Sequence, residues 1–316
     1  MKRTSALAAT GLMTILAMAS CVSTPSGDSP QTGSETSLTT AAAPSDKAST
    51  GSEAAMTPEK TGPVRKERIE EFQVPVILKE TITFADGIVY QITENTWSVD
   101  YTHILSSLTR KPSLPDPVLR TSYEYREGML VSRSNHGPDG ALLNHSTYDY
   151  DAERRLVRES LADGKGVIQS VSEWTWMEGR KSEWKVLDAT GRILARTAYR
   201  YQDGRLSVLL MTDGVGNSTG RGEYQYNGEG RLIGIQYFSA AGIPQDRMEY
   251  VIEAGLLVQE KTFRADGRLE RGVLYTYGPQ GQIQKRTLTD ASGRNRESTS
   301  FEYAFRTEKR TVFYYE

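Results

Sequence analysis

A pair of aromatic residues separated by one position recurs down this chain. The pairs are Tyr123/Tyr125, Tyr148/Tyr150, Trp174/Trp176, Tyr199/Tyr201, Tyr224/Tyr226, Tyr250/Ile252 (one aromatic lost), Tyr275/Tyr277 and Phe301/Tyr303. Successive pairs begin 25 or 26 residues apart. Alternate residues share a face in a strand, whose period is two, and not in a helix, whose period is 3.6. A fixed period of this length marks a repeat architecture, in which one unit cannot bury its apolar side alone. The pattern therefore demands many strands, stacked in chain order.

Glycines subdivide the period. One set is Gly128, Gly179, Gly204, Gly230, Gly255 and Gly281, and a second is Gly140, Gly191, Gly216, Gly242, Gly267 and Gly293. In each pair the second follows the first by 12 residues, so a period is two half-units with a turn after each. The second repeat has Glu153-Arg154-Arg155 where its first glycine would stand. Asp139-Gly140, Asp163-Gly164, Asp213-Gly214 and Asp266-Gly267 read as hairpin turns, because Asp and Gly tolerate positive φ. Each half-unit leaves about 8–9 residues for a strand. The expected fold is all-β: an extended antiparallel meander with two strands per repeat, open or curled, regular from about 121 to 305. Upstream, residues 81–88 read as a further hairpin half. Residues 102–120, with Pro112, Pro115 and Pro117, read as a loop. The last strand, ending Thr311-Val312-Phe313-Tyr314-Tyr315-Glu316, would expose an apolar edge. Such an edge is covered by an earlier segment or used for docking.

The run Tyr148-Asp149-Tyr150-Asp151-Ala152-Glu153-Arg154-Arg155-Leu156 resembles the rearrangement-hotspot, or YD-repeat, family. Gly204-Arg205-Leu206 and Gly230-Arg231-Leu232 repeat its second half. The resemblance spans about 121–305 and implies extended antiparallel sheets that can curl into shells around cargo. The period here is longer than that family's, and the array is short with no cargo-like domain, so the shell is not carried over.

The chain begins with Lys2 and Arg3, then an apolar run from Ala6 to Ala19. That run is too short for a membrane-spanning helix, which needs about 20 residues. It reads as a secretory signal. Met18-Ala19-Ser20-Cys21 resembles a bacterial lipoprotein signal, with Met18 where that family most often has Leu. The resemblance implies removal of residues 1–20 and an acylated (palmitate-bearing) Cys21 as membrane anchor, since two or more acyl chains hold stably where one does not. Cys21 is the chain's only cysteine, which excludes internal disulfides and a cysteine-based zinc site. In residues 22–63, 31 of 42 are Ser, Thr, Pro, Gly or Ala, and none is aromatic. Such a segment cannot bury enough apolar area to order itself. The expected organisation is a signal peptide (1–20), a disordered tether (21–63) and a β-repeat domain (64–316). The expected location is the bacterial cell envelope, at the outer membrane rather than the inner, with no transmembrane helix in the mature chain.

A formal net charge of −2 gives no electrostatic ground for nucleic-acid binding. An outer-membrane barrel needs a continuous apolar face toward lipid. Between the paired aromatics stand Glu124, Asp149, Thr175, Arg200, Gln225, Val251, Thr276 and Glu302, and four of these eight are ionisable. With the aromatics toward lipid, the polar face could line a pore and the pattern would be met, but a lipid anchor and long polar tether would be redundant for a spanning barrel. Gly216-Asn217-Ser218-Thr219-Gly220 matches G-x-S-x-G, but His103, His136 and His145 all precede it and a repeat turn is expected there. His136 and His145 are too few ligands for a structural zinc site. No catalytic residue, metal site or cofactor is expected. Two ladders remain. Tyr123, Tyr125, Tyr148, Tyr150, Trp174, Trp176, Tyr199, Tyr201, Tyr224, Tyr226, Tyr275 and Tyr277 would align on one face, as a partly wet core or as a platform for glycan rings or peptides. Arg180, Arg205 and Arg231 on one edge, and Arg192, Arg268 and Arg294 on the other, are expected to pair with nearby carboxylates. The expected function is a lipid-anchored envelope binding or scaffolding protein, not an enzyme, with a glycan or an envelope protein as partner; the alternatives are a structural envelope-assembly component with no small ligand, or an enzyme whose site the sequence does not reveal.

Overall fold

A computed structural model describes the backbone of residues 65–315 and the side chains of 66–313. The signal peptide, Cys21 and the tether lie outside the described residues.

The described chain is all strand and turn, with no helix. The strands are β1 (Arg65–Phe84), β2 (Val89–Trp97), β3 (Ile104–Arg110), β4 (Leu119–Arg126), β5 (Met129–His136), β6 (Leu142–Tyr150), β7 (Leu156–Asp163), β8 (Ile168–Met177) and β9 (Arg180–Asp188). They continue as β10 (Ile193–Gln202), β11 (Arg205–Asp213), β12 (Ser218–Tyr226), β13 (Leu232–Ser239), β14 (Pro244–Glu253), β15 (Leu256–Phe263), β16 (Leu269–Tyr277), β17 (Ile283–Asp290) and β18 (Asn295–Tyr315).

Each strand pairs antiparallel with the next, and β1 pairs with β18. The fold is therefore a closed 18-stranded up-and-down barrel, which corrects the expected open or curled meander. Within the barrel wall, closure removes the unpaired edges that an open meander would leave. The first strand supplies it, because β1 joins β18 on one side and β2 on the other. The segment 102–120 is also corrected: it holds β3 and the start of β4, with 111–118 as the loop between them and 102–103 in the β2–β3 connection. β3 carries no aromatic pair, so the periodic signal passed over it.

The turns are of two kinds. Glu127-Gly128, Glu178-Gly179, Asp203-Gly204 and Ala254-Gly255 are two-residue turns with positive φ at both positions, the geometry whose twist matches a hairpin. Where the second repeat lacks its glycine, Arg154 takes the positive φ, at 63°. The remaining hairpin turns from β5 to β18 close over three residues, including 151–155, 227–231 and 278–282 on the same end as the two-residue turns. In one, Gly166 N–H donates to Asp163 O at 3.0 Å and Asp163 N–H to Val167 O at 2.9 Å. Gly166, with φ 82°, supplies the left-handed residue there, not the Gly164 that the Asp-Gly reading singled out.

Each even-to-odd hairpin from β4 to β17 carries a bulge beside the second residue of its pair, as between Arg200 and Tyr201, Thr175 and Trp176, or Val251 and Ile252 where the aromatic is lost. The extra residue frees a carbonyl, and in two hairpins a serine serves it: Ser182 Oγ donates to Thr175 O and Ser207 Oγ to Arg200 O, each at 3.1 Å. Bulges of this kind explain a repeat longer than twice its 12-residue half.

Eighteen strands make a cylinder too wide for side chains to fill. Accordingly the buried apolar residues are few: Val76, Ala162, Val171, Leu209 and Ile235. Stability resides in ladders and cross-strand pairs, not in a central core.

Candidate functional site: the aromatic face

The registers place both aromatics of every pair on one face of the wall. The residues between them occupy the other face, together with Arg158, Glu173, Arg221, Glu223, Arg247 and Glu249. That charged face is zipped by ion pairs: Arg158–Glu173 at 3.3 Å, Arg221–Glu223 at 2.7 Å and Arg247–Glu249 at 3.0 Å. The aromatic face is not purely apolar either. Arg133 and Glu159 lie on it 3.8 Å apart, and Arg271 pairs across from Asp290. Neither face offers the uninterrupted apolar band that a lipid-facing barrel wall requires. No helix among the described residues is long and apolar enough to cross a membrane.

The two aromatics of a pair do different things. The second closes a gap. The ladder from an odd strand to the following even strand stops short at one end; β11–β12, for example, ends at Val208–Glu223. Beyond it Tyr226 Oη donates to Leu206 O at 2.8 Å. Tyr150 does the same to Leu130 O at 2.9 Å, Trp176 Nε1 to Leu156 O at 2.9 Å, and Tyr201 to Lys181 O at 3.0 Å. Tyr277 reaches Leu257 O at 2.6 Å, Tyr303 reaches Ile283 O at 2.5 Å, and Trp97 reaches Ile77 O at 2.9 Å. In every case the acceptor lies 20 residues earlier. An arginine then lies over the ring: Arg155 over Trp176 at 5.6 Å, Arg180 over Tyr201 at 5.5 Å and Arg205 over Tyr226 at 5.9 Å. Arg180 and Arg205 of the first arginine ladder are therefore ring contacts, which corrects the carboxylate pairing expected for them. Arg231, Arg192, Arg268 and Arg294 do pair, with Glu229, Asp188, Asp266 and Asp290.

The first aromatics are left for other work. Trp174 faces Trp184 across β8–β9. Tyr199 faces Leu209, Leu209 faces Gly222, and Gly222 faces Tyr237. Tyr224 faces Ile235, and Ile235 faces Met248 beside Tyr250. These residues form an aromatic and aliphatic wall over β8–β14. Gly222 leaves room for the Tyr237 ring, whose carbons lie 3.2–3.3 Å from where a Cβ would stand. The hydroxyls of Tyr199, Tyr224 and Tyr237 have no hydrogen-bond partner among the described residues, and the Trp184 indole N–H is buried without one. Burial raises the ionisation of Tyr199, Tyr224 and Tyr237 above the ordinary tyrosine range, and that of Tyr250 to about 12. All four remain neutral donors at physiological pH.

From β2 to β7 the same face turns polar. Ser107 donates to Asn95 at 2.8 Å, Thr121 to Asn135 at 2.7 Å, and Asn135 to Asn144 at 2.7 Å. Tyr123, Tyr125 and Tyr148 lie in this sector. Tyr275 and Tyr277 lie on β16, where Tyr275 Oη meets Glu260 at 2.9 Å.

The candidate residues therefore separate. Trp174, Tyr199 and Tyr224 belong to one wall; Trp176, Tyr201, Tyr226, Tyr150 and Tyr277 are structural locks. Trp184 and Tyr237 were missed, because they sit on odd strands outside the Tyr-x-Tyr rhythm. Their alternation with Val186 and Ile235 was the available signal.

No group of His, Cys, Asp and Glu among the described residues could hold a metal ion. His136 faces Leu142, not His145, whose Nδ1 lies 2.9 Å from Ser134 Oγ. Ser218 begins β12 after a hairpin turn, in no strand–helix elbow. A shallow depression of about 390 Å³ on the charged face is lined by Thr96, Ser106, Leu108, Arg120, Ser122 and His136, among others.

No protein-family model and no curated protein matches the chain. Among solved structures, a porin-like protein from Bacteroides uniformis is similar with a TM-score of 0.42 and 12% identity, over 72% of this chain and 96% of that one. A porin-like protein from Bacteroides vulgatus gives 0.30 and 9%, over 72% and 98%. TcdB2-TccC3 gives 0.26 and 13% over 69% of this chain, which spans 15% of the TcdB2-TccC3 chain. At these TM-scores the functional reading rests on the chain's own residues.

Proposed function

We propose that this chain is a membrane-tethered, non-enzymatic binding protein of a bacterial envelope, whose ligand surface is the β8–β14 aromatic wall. The observation that carries this reading is the set of donors left idle there. The Trp184 indole N–H is buried without a partner, a situation that costs about 1–3 kcal/mol when no partner is supplied, and the hydroxyls of Tyr199, Tyr224 and Tyr237 on the same wall bond to no described residue. Flat rings with free donors suit a ligand that presents both a ring face and acceptor oxygens, as a glycan does. The charged opposite face and the polar stretch of the aromatic face keep the barrel in water, held near the membrane by acylated Cys21 and the 21–63 tether.

The test is binding of the purified protein to immobilised oligosaccharides, peptidoglycan fragments and peptides. Tyr199→Phe, Tyr224→Phe and Trp184→Phe, which remove the free donors and keep an aromatic ring, should weaken glycan capture without lowering the melting temperature by more than a few degrees. Binding unchanged in all three variants overturns the assignment of the wall. Capture of no glycan or peptide, with co-purification of envelope proteins, would favour a structural envelope component instead. Cys21→Ala should move the protein from the membrane to the soluble fraction; continued membrane retention would refute acylation as the anchor.

A further inference from the structure

β1 and β18 span 20 and 21 residues, about twice the length of the other strands. The barrel uses only part of each: β2 pairs with β1 over Lys79–Thr83, and β17 pairs with β18 over Asn295–Ser300. Residues 65–77 and 303–315 pair only with each other, from Arg65–Tyr315 to Ile77–Tyr303. They form a two-stranded ribbon, roughly 44 Å long at 3.4 Å per residue. A two-stranded ribbon is marginally stable alone, and this one shelters little: Ile69 is 70% exposed, Phe313 50% and Phe72 36%.

Its two edges differ. The β1 edge carries Pro75, which has no N–H to give, and six charged residues between Arg65 and Glu71. Proline and dense charge are the means by which edges resist pairing. The β18 edge has no proline, and its charged residues between Phe305 and Phe313 (Arg306, Glu308, Lys309 and Arg310) are of mixed sign. Its sequence is also self-complementary. Placed antiparallel to itself about Lys309, it sets Phe305 against Phe313, Thr307 against Thr311 and Glu308 against Arg310, each twice. Aromatic, threonine and opposite-charge pairs are those that stabilise antiparallel strands. The like pair at Lys309 is offset, because Glu71 lies 2.9 Å from each Lys309 Nζ. Moving the centre to 308 opposes Glu308 to itself and Arg306 to Arg310; moving it to 310 opposes Arg310 to itself. The Lys309 centre opposes no like charges outside it: Glu308 meets Arg310, and Arg306, which pairs with Glu308 of its own strand, falls against Val312.

We propose that the β18 edge is the interface of a twofold dimer, in which Phe305–Phe313 pairs antiparallel with the same segment of a second copy. The two ribbons then form one four-stranded sheet with β1 at both outer edges. The Pro75-bearing edges stop further addition, so the assembly closes at two copies.

The test uses the full chain with Cys21→Ser, so that an introduced cysteine is the only thiol. Light scattering should give twice the mass of a single copy. Lys309→Cys should cross-link under oxidation, since directly opposed residues in an antiparallel pair have Cα atoms about 4.5–5.5 Å apart, within disulfide reach. Thr307→Cys should not, because it opposes position 311. Glu308→Arg or Arg310→Glu alone should weaken the dimer, and the two together should restore it. A monomer at all concentrations, as when the chain's own 22–63 segment covers the edge, overturns the proposal. So does a dimer in which Lys309→Cys cross-links no better than Thr307→Cys, because another surface then joins the copies.

Discussion

Removing single hydroxyl groups separates the two roles assigned to the paired tyrosines. Tyr150, Tyr226 and Tyr277 each donate to a main-chain carbonyl where neighbouring strands part, at 2.9, 2.8 and 2.6 Å. Substitution by Phe keeps the ring and removes that bond. A neutral hydrogen bond of this kind contributes about 1 kcal/mol net, and more where the abandoned carbonyl is shielded from water. The sites lie on β6, β12 and β16, at least four strands apart, or roughly 19 Å or more along the wall. Effects at such separations add. The triple variant should therefore lose about 3 kcal/mol, and for a domain of this size each kcal/mol lowers the midpoint by about 2–4 °C. Thermal unfolding followed by circular dichroism should show a fall of about 6–12 °C. The control is Tyr199→Phe, Tyr224→Phe and Tyr237→Phe together, which removes three hydroxyls that bond to nothing among the described residues. Its midpoint should stay within about 2 °C of the parent. Equal losses in the two triples would refute the division of labour between the aromatics of a pair.

Three further outcomes are expected. Gly214→Ala should destabilise more than Gly216→Ala, although only Gly216 has positive φ (97°). A Cβ at 214 would stand 1.9 Å from the Ile193 carbonyl oxygen, whereas at 216 it meets open space; urea midpoints decide, and the reverse order would be contrary to this account. At acid pH the turn carboxylates matter. Asp188 and Asp290 are held down to about 2, first by the hydroxyls of Thr190 and Ser292 and then by main-chain N–H groups. Because these pKa values are depressed from 3.8, the stability they confer is present above about pH 4 and lost as pH falls through about 2. Asp188→Asn with Asp290→Asn should flatten that acid limb, and an unchanged acid profile would exclude the carboxylates as its source. At alkaline pH the sign reverses. Burial raises Tyr250 to about 12 from 10.0, so stability present below pH 10 should fall as pH approaches 12. Tyrosinate absorbance should rise late and together with unfolding; complete titration near pH 10 in the folded protein would contradict it.

Much of the architecture was legible because strand periodicity is local. The two-residue alternation of Tyr224 and Tyr226, and the spacing of Gly204 and Gly230, depend on neighbours within one hairpin. Chain order alone therefore carried strand identity, turn positions and antiparallel pairing of consecutive strands. β3 escaped because it offers no aromatic pair, and Gly166 was masked by the Asp163-Gly164 dipeptide beside it.

What the sequence determined by itself was the repeat: its period, its alternating face and its turns, each set by contacts within about 26 residues. Only the tertiary structure decided three things. One is closure, which depends on β1 meeting β18 across more than 200 residues and so leaves no periodic trace. Another is which aromatic locks and which is idle, since Tyr226 finds its acceptor only where β11 and β12 part. The last is the ribbon, whose existence follows from the barrel using only the inner ends of β1 and β18. Periodicity reports the forces that repeat, whereas closure, strand divergence and overhang depend on how the first and last units meet.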